Sequence, residues 1–188
     1  LKVVNEWFNR EMINIINTFV NQASISIENF RLINVALENE RYKEELKIAK
    51  RVQKALLPEG IEDISEYELH AYSVAADEVG GDYYDILKID DHSNAFIIAD
   101  VSGKGTSAAF HMSQMKGIFH SVARITSDPK KFLVHANDAL SACLEKTSFI
   151  TGSFFLIDTR QQLLRYSRAG HCPSLYYCSQ EKSSRYFQ

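Results

Sequence analysis

Between residues 9 and 57 the chain has neither proline nor glycine, and apolar residues recur three and four apart: Met12, Ile16, Phe19, Ala23, Phe30, Ile33, Leu37. That spacing places them on one face of a helix, and predicts one long helix or two nearly continuous ones. A second stripe begins as the first fades, through Leu32, Val35, Asn39, Tyr42, Leu46, Ala49, Gln53 and Leu56. Its alternating steps make a heptad seam of about four repeats, with Asn39 and Gln53 at a-type positions. A buried polar residue there costs stability but fixes register in a two-stranded pairing, so the expectation is a parallel coiled-coil homodimer. The competing reading is one amphipathic helix packed on its own domain. Pro58 and Gly60 end the helix, because proline cannot continue it.

Beyond Gly60 the period changes from helical to alternating. Strands are predicted at 68–74, 82–89 and 95–99, the last two joined as a hairpin through Asp90-Asp91-His92-Ser93-Asn94. Helices are expected at 107–124 and 129–145, the second capped by Ser127 or Asp128 with Pro129 at its first position. Strands follow at 152–158, 163–168 and 174–178, with a turn at Thr159-Arg160-Gln161. Strands, then helices, then strands give the α+β class, built as a layered sandwich.

With 188 residues, the length allows one full domain and an appendage. A net charge of −3, from 21 basic and 24 acidic residues, leaves no electrostatic footprint for nucleic acid or a membrane surface. Cys143, Cys172 and Cys178 are odd in number and lack zinc-ligand spacing, which fits a reducing, cytoplasmic setting. No apolar run reaches the length of a membrane span. The chain opens at Leu1 on residues that read as the end of a strand, so a longer parent protein is expected.

The chemistry concentrates in Gly80-Gly81-Asp82-Tyr83-Tyr84-Asp85 and Ala99-Asp100-Val101-Ser102-Gly103-Lys104-Gly105. Asp82 opens one hairpin strand and Asp100 closes the other, and antiparallel pairing sets such ends side by side. Two adjacent carboxylates repel unless a cation lies between them. Mg²⁺ or Mn²⁺ suits that oxygen set, with the Val101 backbone carbonyl as a further ligand, and two such ions sharing a water could aim a hydroxide at a phosphoryl group. Turn and capping chemistry is the alternative for each aspartate taken singly. Asp85, three residues past Asp82, falls on the other face of the pleat unless a bulge intervenes. Gly81, Asp85, Gly103, Lys104, Gly105 and His171 are the candidate supporting residues.

Gly103-Lys104-Gly105-Thr106-Ser107-Ala108 mimics a dinucleotide-binding turn, but the helix after it leads into another helix, so no βαβ unit exists. Lys104 also lacks the Walker frame. What remains is a glycine turn feeding a helix N-terminus. His111, His120 and His135 read as surface or packing residues, and His171 as a loop-fixing side chain. Tyr83-Tyr84 and Tyr176-Tyr177 read as strand residues.

The series GGDYYD, ADVSGKGTSAA, FITGSFFLID and RAGHCP resembles the metal-dependent serine/threonine protein phosphatases of the PPM family, bacterial sporulation and stress-response regulator type. The similarity runs from about Ala49 to Cys178 and includes Gln53-Lys54-Ala55-Leu56-Leu57-Pro58, which looks like the family's Q-x-x-L-L-P entry. Residues 19–32 look like the closing helix of a GAF sensory domain. The resemblance implies an α/β/β/α sandwich and a binuclear Mn²⁺ or Mg²⁺ centre held by Asp82, Asp100 and the Val101 carbonyl. It implies hydrolysis of phosphoserine or phosphothreonine on an anti-sigma-factor antagonist of the STAS type. The domain expectation is a GAF-like end at 1–31, a helical linker at 32–58 and a phosphatase domain at 59–188. The family's further metal-binding aspartates, from a TDG-type segment and a later strand, fall after Gln188, so these residues alone are expected to be inactive or nearly so. An inactive dimeric scaffold with a phosphatase-like fold is the alternative.

Overall fold

The computed structural model describes residues 9–58, 60, 67–74, 80–103 and 105–187. The expected strand end near Leu1 lies outside them. Helix α1, Arg10–Leu56, is continuous over 47 residues and starts at Asn9, whose side chain accepts the Met12 N–H at 2.8 Å. The chain divides into two units, Leu1–Glu45 and Leu46–Gln188. In the first, every described residue belongs to α1 or its cap, and all are exposed, including Phe19, Ile27 and Phe30.

In the second unit, β1 (Asp82–Lys88) and β2 (Ser93–Val101) form the expected hairpin, followed by α2 (Thr106–Val122), α3 (Pro129–Cys143), β3 (Ile150–Asp158) and β4 (Leu163–Ala169). The four strands make one antiparallel sheet in chain order. Strand alternation sends Tyr83, Leu87, Ala99, Val101 and Phe154 toward the helices, where they meet Met112, Phe119 and Phe132. Phe132 and Phe154 stack with ring centroids 3.9 Å apart, and Phe119 meets both edge-on. Asp128 caps α3 by accepting the Lys130 and Lys131 N–H groups.

The opposite sheet face begins a second β layer. Phe155 meets Tyr166, Tyr166 meets Phe187, and Phe187 in turn meets Tyr176 of β5 (Leu175–Cys178). Strand β5 pairs with β6 (Ser183–Tyr186), a strand that the polar Ser183-Ser184-Arg185 pattern conceals. The expected strand at 68–74 does not form. Leu69 to Tyr72 instead line an apolar groove of about 480 Å³ with Tyr84, Phe96 and Ile98. Leu69 is half-buried there, whereas Ala71 and Tyr72 remain exposed, so the segment lies along the sheet face and does not pair at an edge as a strand would.

Asp85 follows the pleat, as its spacing from Asp82 predicts. The β1–β2 register runs without a bulge from Asp82↔Asp100 to Lys88↔Asn94, so Asp85 lies on the helix side, away from Asp82. Its side chain is 3% exposed. Tyr83 Oη donates to Oδ2 at 2.7 Å, Lys116 Nζ at 3.0 Å, and His120 Nε2 stands 2.9 Å away, while the Ile86 N–H donates to Oδ1. Lys116 also donates to the Leu56 carbonyl at 2.8 Å, so one buried carboxylate ties β1, α2 and the end of α1.

Burial by itself would raise the Asp85 pKa, but the hydrogen bonds from Tyr83, His120, Lys116 and Ile86 outweigh it and hold the carboxyl below its ordinary value. The stabilisation is therefore fully present above the unfolded value of about 3.9, and is lost as pH falls through the lowered folded value. Asp85→Asn is expected to cost about 3 kcal/mol at neutral pH, read as a lower denaturant midpoint, and to flatten the loss of stability below about pH 4. An unchanged acid limb would show that this carboxylate does not hold the elements together.

Candidate metal centre

Asp82 and Asp100 face each other in register at one end of the hairpin, both exposed and both on the sheet face away from the helices. The Val101 N–H donates to the Gly81 carbonyl at 3.0 Å, which extends the pairing by one step and draws Gly81 against β2. A Cβ on Gly81 would collide with the Val101 carbonyl oxygen and stand 2.9 Å from Asp100 Oδ1. Only glycine leaves that space open. Asp100, the Val101 carbonyl and the backbone leading into Asp82 thus meet around one small cradle.

Next along the same end, Asp100 pairs with Thr151 of β3. Thr151 Oγ1 lies 3.0 Å from His171 Nδ1, and the His171 carbonyl accepts Arg168 Nη1 at 2.7 Å. His171 therefore anchors its loop through a threonine hydroxyl as well as its backbone, one strand away from Asp100. Thr151 carries no sequence signal beyond its position before Gly152 in the FITG segment. Gly103 and Gly105 have φ of 105° and 69°, and Gly105 is the N-cap of α2, where its carbonyl accepts the Ala109 N–H. Lys104 lies outside the described residues.

The oxygen set of two carboxylates and one carbonyl fits a hard divalent cation that keeps water in its other positions. Among the described residues no three His, Cys, Asp or Glu side chains converge on a metal position. Asp85, turned to the far face, adds nothing to it. His111 bonds Gln114 and His120 faces Asp85, so neither reaches this end.

The last turns of α1 also border the centre. Gln53 Nε2 donates to the Gly80 carbonyl at 2.7 Å, its Oε1 accepts the Gly80 N–H at 3.2 Å, and Nε2 also meets Met112 Sδ. Ala49 packs on Ala109, with Leu46 against them. The heptad seam is corrected here. Leu46, Ala49, Gln53 and Leu56 pack within their own domain, where a polar Gln53 satisfies backbone groups that no partner helix could reach, so only Leu32, Val35, Asn39 and Tyr42 remain for a dimer. Among the described residues, no helix is long and apolar enough to cross a membrane.

The model of the family "Stage II sporulation protein E (SpoIIE)" matches residues 90–186. The chain is 32% identical over 141 residues to phosphoserine phosphatase RsbU of Bacillus subtilis, covering 75% of the chain and 42% of that protein. It is 30% identical over 138 residues to phosphoserine phosphatase RsbP of the same organism, covering 71% and 34%. It thus spans less than half the length of either. Its fold is similar to the SiaA-PP2C domain of Pseudomonas aeruginosa, with a TM-score of 0.63 at 22% identity over 81% of this chain and 62% of that one. The family match over just over half of its residues makes this chain a member of the Stage II sporulation protein E family.

Proposed function

We propose that these residues belong to a metal-dependent protein serine/threonine phosphatase that dephosphorylates an anti-sigma-factor antagonist under the control of an N-terminal sensor. The observation that carries this reading is the in-register pair Asp82 and Asp100, with the Val101 carbonyl beside them at the Gly81 cradle. The name phosphoserine phosphatase, borne by RsbU and RsbP, supports a phosphoserine substrate. Asp82, Asp100 and the Val101 carbonyl would hold Mn²⁺ or Mg²⁺. When bound, the metal supplies an activated water and neutralises charge on the phosphoryl oxygens. The protein's own part is positional: the sheet register aligns the carboxylates, Gly81 keeps the cradle open, and Thr151 with His171 fixes the adjoining loop.

Two carboxylates make a weak site, because each missing anionic ligand lowers affinity for a hard cation. These 188 residues are therefore expected to bind Mn²⁺ weakly and release little phosphate from a phosphoserine protein. Asp100→Asn should weaken Mn²⁺ binding, read by electron paramagnetic resonance, by about a hundredfold. Unchanged binding would remove the metal from this site. Strong Mn²⁺-dependent phosphate release by these residues would instead contradict the two-carboxylate account. Gly81→Ala should cost about 1–3 kcal/mol of stability and also weaken Mn²⁺ binding, since the new methyl meets backbone that cannot swing aside.

A second reading is an inactive scaffold with a phosphatase-like fold. A Mn²⁺ titration that shows no binding at all, rather than weak binding, would select it. We also propose a homodimer formed through Leu32, Val35, Asn39 and Tyr42, whose side chains are exposed along α1. Sedimentation at micromolar concentration should give a dimer that Leu32→Glu with Val35→Glu dissociates; a monomer for the parent chain removes the pairing.

A further inference from the structure

The stretch 46–57 carries Lys47, Lys50, Arg51 and Lys54 and no acidic residue, in a chain whose net charge is −3. Lys50 and Lys54 are four apart on α1, and Lys47 and Arg51 likewise, so like charges stack along one helix. Attraction to the helix C-terminus accounts for Lys54 in the last turn, but it fades beyond that turn and does not account for Lys50 or Arg51. A helix selected for stability alone would alternate the signs.

These cations border a groove. Lys50, Arg51 and Lys54 line one side of a volume of about 760 Å³, and Asp82 and Tyr84 of β1 line the other. The two Gln53–Gly80 hydrogen bonds hold that helical turn to the residue pair leading into Asp82. Lys50, Arg51 and Lys54 are exposed. Among the described residues the recorded ion pairs use none of the three. With a cation held at Asp82, that end of the groove would suit a phosphate monoester, and the basic wall suits further negative charge at a distance from that phosphate.

On the phosphatase reading of Asp82 and Asp100, we propose that this wall is a docking surface for the substrate protein and selects phosphoserine segments flanked by acidic residues. The end of α1 is then part of the substrate site as well as a connector. Charge on the rim of such a surface acts mainly through association rate and is screened by salt, so the preference belongs to low ionic strength.

The test uses fluorescence anisotropy of two phosphoserine peptides, one with acidic and one with neutral flanks, on the whole chain. The parent should prefer the acidic peptide, and the Lys50→Gln, Arg51→Gln, Lys54→Gln variant should bind it about tenfold more weakly at low salt while binding the neutral peptide unchanged. A control, Lys130→Gln with Lys131→Gln on α3, removes charge elsewhere and should keep the preference; circular dichroism confirms that both variants fold. Equal binding of both peptides by the parent, or the same loss in the control, would overturn the proposal. So would tighter, cation-dependent binding of a single-stranded oligonucleotide or of phosphatidylserine vesicles, which would give the wall to another polyanion. Mn²⁺ binding that still falls with Asp100→Asn, beside a lost flank preference, sinks the groove and spares the phosphatase. The reverse pattern sinks the phosphatase and spares the groove.

Discussion

One buried charge organises the second unit. Asp85 is enclosed on the helix side of β1, and a carboxylate can stay ionised there only if donors surround it. Tyr83, Lys116 and the Ile86 amide donate to it, with His120 alongside, and Lys116 passes the constraint on to the Leu56 carbonyl. Removing any partner leaves a desolvated charge behind. The position of β1, and with it Asp82 on the opposite face, is thereby linked to α2 and to the end of α1.

The same strand serves two chemistries because its pleat separates them. Residues pointing to the helices close a core of Tyr83, Leu87 and the phenylalanine cluster, while Asp82 points the other way toward Asp100. The proposed metal chemistry at this edge and the apolar packing behind it lie on separate faces, although both depend on one hairpin register. Gly81 permits that register, since any side chain there would meet the Val101 carbonyl.

Helix α1 changes its environment along its length. Its first part presents apolar side chains to solvent, whereas Ala49 and Gln53 are buried within the second unit. Gln53 gives the clearest case of a residue whose spacing misleads: its heptad position suggests a partner helix, yet its amide bonds both backbone groups of Gly80. Periodicity records which face is covered, not what covers it.

Sequence alone determined the elements with strong local signals. These were the helical run before Pro58, the Asp82–Asp100 hairpin, Pro129 at the first position of α3 and the order of elements from β1 to β5, because proline, glycine and period act over a few residues. It also placed Asp82, Asp100 and Val101 together, since register follows from a short hairpin. Tertiary structure decided the rest. Residues 69–72 line the sheet face without forming a strand, polar β6 gains strand structure only from its partner, and Thr151 meets His171 across 20 positions of sequence. The basic turn of α1 acquires its meaning in the same way, because only folding brings Lys50, Arg51 and Lys54 beside Asp82. Each of these depends on what lies opposite in space, and a local pattern carries no record of its distant partner.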